Sequence, residues 1–375
     1  MRIAVVTVHR ALNCGAALQA WALKCALERF GHSVEFPACN DIGMEDPDAQ
    51  PFHPNPRKRG FGHWHDVYRV WRMNALARPI YRPALARYER FRLRNLPERD
   101  VAPGNFAAHY DLAVFGSDQI WNPEVTKGAT GLFCGETLPT GFRAIAYAAS
   151  VGDRPLVGQD LARVQASLGR FAAVSVRERM AADLLTPACA IPPRVTVDPT
   201  LLLKAEDYRP IAADRHPRKP YLYVYSLIFR KEFWQMAKTA AARLGLEPVY
   251  TPLYKYTSYR MPSGLVYGVS PDMFVDLIAH ASCVLTDSFH GTVFSLLHHK
   301  PFASISHVPD VSLSRPAQLL SEIGCADRVV GEVISDRKLA ELLSHPFSTE
   351  VDAHLDEQRS KSLDWLKTAL HKAPV

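Results

Sequence analysis

Residues 284–297 read VLTDSFHGTVFSLL. Four mostly apolar residues, 282–285, lead into the polar residues 286–288, and the pattern then changes to helical spacing from Val293 onward. This order predicts a strand, a turn and a helix. In an open α/β sheet, ligands bind where strands end and helices begin, because free N–H groups and the helix dipole favour anions there.

Two residues at this predicted junction are suited to ligand binding or proton transfer. Gly291 would allow a close approach of the backbone to a ligand, and His290 would bring a side chain that titrates near neutral pH and can transfer protons. The alternative is that His290 caps the helix or makes a hydrogen bond in the core, as single histidines in α/β proteins commonly do. Spacing alone leaves both interpretations open.

Length and composition restrict the class of protein. A chain of 375 residues with 47% hydrophobic content predicts two or three domains. No apolar run approaches the 18 or so residues that span a bilayer, and the apolar start is too short for a signal peptide, so a cytoplasmic location is expected. The seven cysteines form no CxxC pair, which argues against a disulfide framework and a zinc site. No metal and no cofactor are expected.

The positive charge is concentrated in residues 57–99. This segment has twelve Lys and Arg residues against three acids, an excess of nine within a net charge of +6. Helical spacing predicts two helices here, at 65–76 and 84–93, with aromatic residues packed on the parent domain and arginines pointing to solvent. A second interpretation is peripheral contact with the inner face of a membrane that carries an anionic acceptor. No nucleic-acid partner is expected.

The first part of the chain repeats a strand-and-helix pattern. Residues 2–8 predict a buried strand, and a helix opens at Gly15. Further buried strands end in polar or small residues, and in a parallel sheet such ends gather along one edge. The residues expected to line that edge are Asn13, Gly15, Ser117, Asp118, Gln119, Ser150 and Arg177.

A second alternating series of strands and helices follows a polar linker at 203–219. We therefore predict an α/β fold with two Rossmann-like, doubly wound domains that face each other across a cleft. The first covers residues 1–203 and includes the basic insertion, the second covers 204–349, and residues 350–375 form a C-terminal helix. The cleft is the natural ligand site. No P-loop and no GxGxxG dinucleotide motif are present.

Six strings, taken together and in order, resemble the polysaccharide pyruvyl transferase family. They are NCGAALQAWAL at 13–23, YDLAVFGSDQIWNP at 110–123, RAIAYAASVG at 143–152, SVRE at 175–178, VDPTLLL at 197–203, and TDSFHG at 286–291 followed by KPF at 300–302. They extend over most of the chain. The resemblance is more specific for the family than for the substrate.

The resemblance implies a GT-B-like fold, with phosphoenolpyruvate as co-substrate and a sugar or glycan, either free or lipid-linked, as acceptor. The product would be a cyclic pyruvate ketal. The family's SFHG and SVRE strings place the catalytic residues at His290 and Arg177. Phosphoenolpyruvate is expected to contact Ser288, Gly291, Thr292, Arg315 and Ser150. Acceptor binding or lining of the cleft is expected of Asn13, Gly15, Ser117, Asp118 and Gln119, and the loop from Asn13 to Gly15 could border either the acceptor or the donor.

Two other functions stay open at this stage. A nucleotide-sugar glycosyltransferase could use the same fold, but such enzymes often have a Glu four residues after the helix-opening Gly, and this chain has Ser295 there. A non-catalytic carbohydrate-binding protein is the other alternative, since one scaffold hosts many functions.

Overall fold

The computed structural model describes residues 1–38, 59–101, 105–127, 129–227, 231–252 and 269–372. Its strands are β1 (Arg2–Val6), β2 (Ser33–Pro37), β3 (Glu98–Arg99), β4 (Leu112–Phe115), β5 (Ala144–Ala149), β6 (Ala173–Val176), β7 (Arg194–Val195), β8 (Tyr221–Ser226), β9 (Glu247–Pro252), β10 (Cys283–Thr286), β11 (Phe302–Ser306) and β12 (Val329–Gly331). Its helices are α1 (Cys14–Arg29), α2 (Phe61–Asn95), α3 (Phe106–His109), α4 (Pro123–Thr126), α5 (Thr130–Phe133), α6 (Gly158–Ser167), α7 (Arg179–Leu185), α8 (Lys231–Leu244), α9 (Pro271–His280), α10 (Phe289–Leu297), α11 (Arg315–Glu322), α12 (Asp336–Ser344) and α13 (Glu350–Ala369).

The strands form two parallel sheets. The first has the order β3-β2-β1-β4-β5-β6-β7, and the second has the order β12-β11-β10-β8-β9. All residues of β4, β5, β8, β10 and β11 are buried. This burial explains their continuous apolar character, because helices cover both faces of a parallel sheet. The two sheets confirm the predicted α/β class with two Rossmann-like domains.

Local sequence explains the starts of the helices that reach the cleft. The side chain of Asn13 caps α1 by accepting a hydrogen bond from Gly15 N at 2.9 Å. The side chain of Ser288 caps α10 by accepting one from Gly291 N at 3.4 Å. A Cβ at Gly291 would overlap the hydroxyl of Thr286, so the first turn of α10 has room only for glycine at this position. Both caps lie where a strand gives way to a helix.

The basic segment forms a single helix. The prediction of two helices was wrong, because α2 continues for 35 residues from Phe61 to Asn95. Tyr88 and Phe91 are buried as predicted, with the Tyr88 hydroxyl donating a hydrogen bond to Asn13 O. Trp64, Tyr68 and Trp71 are 71%, 60% and 62% exposed, so the expectation that the aromatic residues pack on the parent domain was wrong for this half of the helix. None of the helices in the described ranges is both long and apolar enough to cross a membrane.

Two further segments depart from the prediction. The linker predicted at 203–219 contains a 3-10 helix, Ala205–Ile211. Of the loop predicted at 41–62, residues 41–58 lie outside the described residues, while residues 61 and 62 already belong to α2.

The last helix returns to the first domain. On α13, the Arg359 Nε donates to Leu201 O at 2.7 Å, and the Ser362 hydroxyl accepts from Val197 N at 3.1 Å. Trp365 packs against Tyr147 of β5 with ring centroids 6.0 Å apart. The polypeptide therefore passes from the first sheet to the second and back again.

Candidate active site

Each of the two sheets reverses its strand order at one point. In the first sheet the reversal lies between β1 and β4, and in the second between β8 and β10. Such switch points are the usual ligand sites of open α/β sheets. The loop before α1 follows β1, and the turn before α10 follows β10, so the predicted site residues of both domains meet here.

His290 joins the two domains. It lies in the first turn of α10 and is 6% exposed. Its imidazole lies directly against Gly15 at the start of α1, so that a Cβ at residue 15 would overlap the ring. Its Nε2 is 3.6 Å from Asp198 Oδ2, which is within ion-pair range but too long for a hydrogen bond. This nitrogen has no hydrogen-bond partner among the described residues.

Asp198 connects His290 to an arginine. It follows β7 and is fully buried, and the same Oδ2 accepts a hydrogen bond from Arg177 Nη1 at 2.8 Å. Its other oxygen accepts from the N–H and hydroxyl of Thr200 at 3.0 and 2.6 Å. Burial, the largest effect, raises the pKa of Asp198, but His290, Arg177 and Thr200 together outweigh it and hold the pKa well below the ordinary value. Asp198 is therefore an anion at any physiological pH.

Arg177 lies between two carboxylates. Its Nε donates to Glu178 Oε1 at 2.9 Å, and Ser150 Oγ donates to the same oxygen at 2.7 Å. Burial opposes the charge of Arg177, yet Glu178 and Asp198 raise its pKa above the ordinary value. The side chain is only 2% exposed, but its Nη2 has no hydrogen-bond partner in the described part of the chain. One N–H corner of this guanidinium can thus still bind a ligand anion.

Phe289 separates two arginines. Its ring centroid is 4.6 Å from Arg177 Cζ and 5.8 Å from Arg315 Cζ. Arg315, in the second domain, also pairs with Asp153 of the first domain, with Nε 2.9 Å from Oδ1 and Nη2 3.2 Å from Oδ2. Two cationic side chains from different domains therefore flank the residue that precedes His290.

A cavity of about 590 Å³ opens between the domains beside this cluster. Its polar lining includes Gln119, Asp153, Asp287, His307 and Arg315. His290 is not among the lining residues. Phe289 and Arg315 border both this cavity and a pocket of about 30 Å³ that includes Arg177 and Asp198. A ligand in the cavity thus contacts Arg315 directly, and Phe289 lies between the cavity and the smaller pocket that includes Arg177 and Asp198.

Some predicted site residues have structural roles in this arrangement. Thr292 is fully buried, and its hydroxyl donates to Ser304 Oγ at 2.9 Å within the second domain. Ser117 Oγ donates to Ala148 O at 2.9 Å and lies 3.4 Å from Asp198 Oδ2. Asp118 accepts from Gln119 N at 2.8 Å, and of these two only Gln119 lines the cavity. Their assignments to a ligand stay predictions.

The sequence interpretation did not select five residues that complete the site. They are Asp153, Glu178, Asp198, Phe289 and His307. Asp198 and Glu178 lie within the strings VDPTLLL and SVRE, directly after predicted strands, and this position was the available signal. His307 also follows a strand, β11, and its Nε2 lies 3.2 Å from Asp287 Oδ2 and its Nδ1 2.6 Å from Glu332 Oε1.

A cluster of side chains of the types that can bind metals lies outside the cavity. His216 Nδ1 and His280 Nδ1 lie 3.1 and 3.0 Å from the same oxygen of Asp276, and the two imidazole rings stack 3.5 Å apart. A metal ion lies in the plane of an imidazole that binds it. The two stacked rings lie in separate, nearly parallel planes, so a single ion cannot lie in the plane of both. The cluster is a hydrogen-bonded group as it stands.

Comparisons with known proteins bear on both fold and family. The sequence profile described as polysaccharide pyruvyl transferase matches residues 13–307. No curated protein matches the chain significantly. A putative UDP-N-acetylglucosamine 2-epimerase from Listeria monocytogenes has a similar structure, with a TM-score of 0.51 and 12% identity over 98% of this chain and 95% of that chain. A further UDP-N-acetylglucosamine 2-epimerase has a TM-score of 0.50 and 12% identity over 100% of this chain and 98% of that chain. At this identity the two epimerases show the fold alone, a two-domain GT-B-like fold.

Proposed function

The chain belongs to the polysaccharide pyruvyl transferase family, and we propose that it transfers the pyruvyl group of phosphoenolpyruvate to two hydroxyls of one sugar. The product is a cyclic pyruvate ketal on a polysaccharide, a glycolipid or a lipid-linked precursor. The observation that carries this proposal is the junction at Asp198, where His290 and Arg177 approach the same carboxylate oxygen. A group that transfers protons and a group that binds anions are thus held together where both sheets end.

The charges around Phe289 suit phosphoenolpyruvate. This molecule has a carboxylate and a phosphate on adjacent positions, and guanidinium groups bind both anions through paired hydrogen bonds. Arg315 reaches the cavity, while Arg177 keeps Nη2 without a protein partner in the described chain. The amino end of α10 adds a favourable dipole. We therefore assign the two arginines and the start of α10 to phosphoenolpyruvate.

The reaction needs one proton at carbon. Protonation of the methylene carbon of phosphoenolpyruvate makes the neighbouring carbon electrophilic, and a sugar hydroxyl adds there. The second hydroxyl then forms the second C–O bond while the C–O bond to phosphate breaks. Of the two hydroxyl protons, one balances the proton now in the methyl group and the other leaves with phosphate. No oxidant, reductant or metal is required by this balance.

His290 is the residue that we assign to protonation. Its ring is held between Gly15 and the Asp198 carboxylate, which fixes its orientation and places a negative charge beside the imidazole. The same carboxylate binds Arg177, so the positions of the acid and of the arginine are coupled. Asp198 acts here as a positioning residue.

One observation disfavours the nucleotide-sugar glycosyltransferase. Ser295 is fully buried, and its hydroxyl donates to Gly291 O at 2.7 Å within α10. This position therefore offers no carboxylate to the hydroxyls of a ribose.

The direct test is product analysis. Purified protein is incubated with phosphoenolpyruvate and a panel of labelled glycosides, and released phosphate, product mass and NMR spectrum are measured. We expect phosphate release with one acceptor and a mass increase equal to a pyruvyl ketal. Turnover of a sugar nucleotide with no reaction of phosphoenolpyruvate would support the glycosyltransferase instead. Binding of glycans without turnover of either compound would support a non-catalytic carbohydrate-binding protein.

A further inference from the structure

The amino-terminal half of α2 exposes an aromatic stripe. We use this name for Trp64, Tyr68 and Trp71, which are 71%, 60% and 62% exposed. Their spacing of four and three residues places them within about 60° of one another around the helix axis. The rings of Tyr68 and Trp71 stack with centroids 6.1 Å apart. Large aromatic side chains in a row are costly to leave in water, so this face fits a partner with an apolar layer.

The opposite side of the same half-helix is buried. Val70 is 4% exposed and Asp66 is fully buried, and both lie roughly 200° to 240° around the axis from Trp64. The carboxyl-terminal half of α2 is fixed to the protein through Tyr88 and Phe91, each 5% exposed. The helix is therefore held on one side and presents the aromatic stripe on the other.

The charge around the aromatic stripe is positive. All three acids of the basic segment are engaged in ion pairs. Asp66 pairs with Arg69 at 2.7 Å, Glu89 with Arg92 at 2.8 Å, and Glu98 with Arg10 at 2.7 Å. Arg69 and Arg72 are exposed on one side of the aromatic stripe, with Arg72 about 40° and Arg69 about 100° around the helix axis from Tyr68. Residues 57–99 as a whole carry an excess of nine positive charges. This surface is complementary to an anionic partner.

We propose that α2 docks the protein on an anionic lipid surface through the aromatic stripe. Trp and Tyr side chains favour the headgroup level of a bilayer, where one end of the ring is apolar and the other is wet, and flanking arginines are attracted to anionic lipids. A protein partner of ordinary composition would not require this combination of exposed indole rings and an excess of positive charge. The docking is independent of which glycan is modified.

Docking would also position the site. The same helix that carries the aromatic stripe contacts the cleft, because the Tyr88 hydroxyl donates to the backbone oxygen of Asn13, two residues before Gly15. A membrane-bound α2 therefore places the inter-domain cleft at a fixed distance from the lipid surface.

Vesicle binding tests the proposal. The full chain is mixed with vesicles of phosphatidylcholine alone or with 30% phosphatidylglycerol, and bound protein is measured by co-sedimentation. We expect at least tenfold more binding to the anionic vesicles, with strong weakening at high salt. The triple variant Trp64→Ser, Tyr68→Ser, Trp71→Ser should lose this binding. The matched control Val157→Ser, Ile191→Ser removes two apolar side chains that are each 73% exposed elsewhere, and it should bind like the wild type.

Fluorescence gives a second, independent measurement. Of the six tryptophans, Trp64 and Trp71 are the two with large exposure, whereas Trp21, Trp121 and Trp234 are buried and Trp365 is partly buried. Brominated lipids should therefore quench a large part of the emission of the wild type and none in the triple variant. Equal sedimentation of the wild type and the triple variant, or no binding to anionic vesicles, would overturn the proposal. A concentration-dependent dimer that the triple variant loses would assign the stripe to a protein contact instead.

Discussion

Gly15 and His290 come from different domains and are in direct contact, with the imidazole ring lying against the backbone of the glycine. No side chain fits between them. The position of the proposed acid therefore depends on the first turn of a helix in the other domain. Any change that separates α1 from α10 also displaces His290 from Asp198.

Gly15→Ala should reduce turnover strongly while preserving the fold of each domain. The new methyl group would overlap the imidazole, so either the ring rotates away from Asp198 or the domains separate slightly. We expect a fall in kcat of at least tenfold, since small misplacements of catalytic groups have effects of about this size or larger. Gly169→Ala is the matched control, because a Cβ there meets nothing within 4 Å. Full activity of Gly15→Ala would contradict the tight contact.

His290→Gln should abolish proton transfer but keep binding of phosphoenolpyruvate. General acids of this kind contribute about 10²- to 10⁴-fold to the rate. The expected result is a loss of phosphate release in that range with an unchanged ligand-induced rise in Tm. His299→Gln serves as control, because His299 is an exposed side chain nine residues away. A variant that retains normal turnover would remove His290 from the mechanism.

Asp198→Asn should destabilise the protein at neutral pH. The substitution leaves the buried Arg177 with Glu178 as its one remaining carboxylate among the described residues, and breaking a buried pair costs roughly 3 kcal/mol. Urea unfolding at pH 7 measures this difference. Asp160→Asn, at an exposed position, is the control and should change little.

The destabilisation by Asp198→Asn should also depend on pH. The pKa of Asp198 is lowered in the folded protein, so the carboxylate contributes stability above its unfolded pKa of about 3.9 and loses that contribution as the pH falls below it. The gap in unfolding free energy between wild type and variant should therefore shrink from pH 5 to pH 3. A constant gap over this range would show that the loss is due to packing rather than to charge.

His298 should make the protein less stable in mild acid. Burial, with a smaller effect of Lys300, lowers the pKa of His298 to about 4, whereas an unfolded histidine titrates at about 6.5. Between these values the unfolded chain binds a proton that the folded chain does not, so stability falls as the pH decreases. We expect a loss of about 2 kcal/mol from pH 7 to pH 5. His298→Gln should remove most of this slope, and His345→Gln at an exposed position should not.

Two variants can distinguish the role of Arg315 in ligand binding from its role in the ion pair with Asp153. Asp153→Ala removes the ion pair between the domains, which at this partial exposure is worth up to about 1 kcal/mol, and keeps the guanidinium that we assign to phosphoenolpyruvate. It should lower Tm slightly and preserve the ligand-induced rise. Arg315→Ala should lose that rise as well. If both variants respond equally to phosphoenolpyruvate, Arg315 serves only to hold the domains together.

Much of the fold could be predicted from the sequence because the strands are buried on both faces. The runs at β4, β5 and β10 are continuous and apolar, and each ends in polar residues, so these strands could be recognised from the sequence. Helix α2 was harder. Helical spacing predicted two separate helices, and Pro79 and Pro83, residues that usually end or kink a helix, lie between them, although the helix continues through both.

The position of the candidate site residues after strands could be predicted from the sequence, but the contacts between these residues could not. His290 and Arg177 each follow a strand, which a single sequence shows. Both residues approach one oxygen of Asp198 because the two domains pack together. Asp198 and His290 are 92 positions apart along the chain, and no local sequence pattern indicates a contact at that separation. The orientation of Trp64 was likewise hidden, because the periodicity of a helix does not say which of its faces meets the protein.

The return of α13 to the first domain has a mechanical consequence. The two domains are linked by two crossings of the chain, one after the first sheet and one before α13, rather than by one tether. Two attachment points permit rotation about the line that joins them and resist twisting about other axes. We therefore expect opening of the cleft to be a rotation about that line, so that closure returns His290 to the same place beside Asp198.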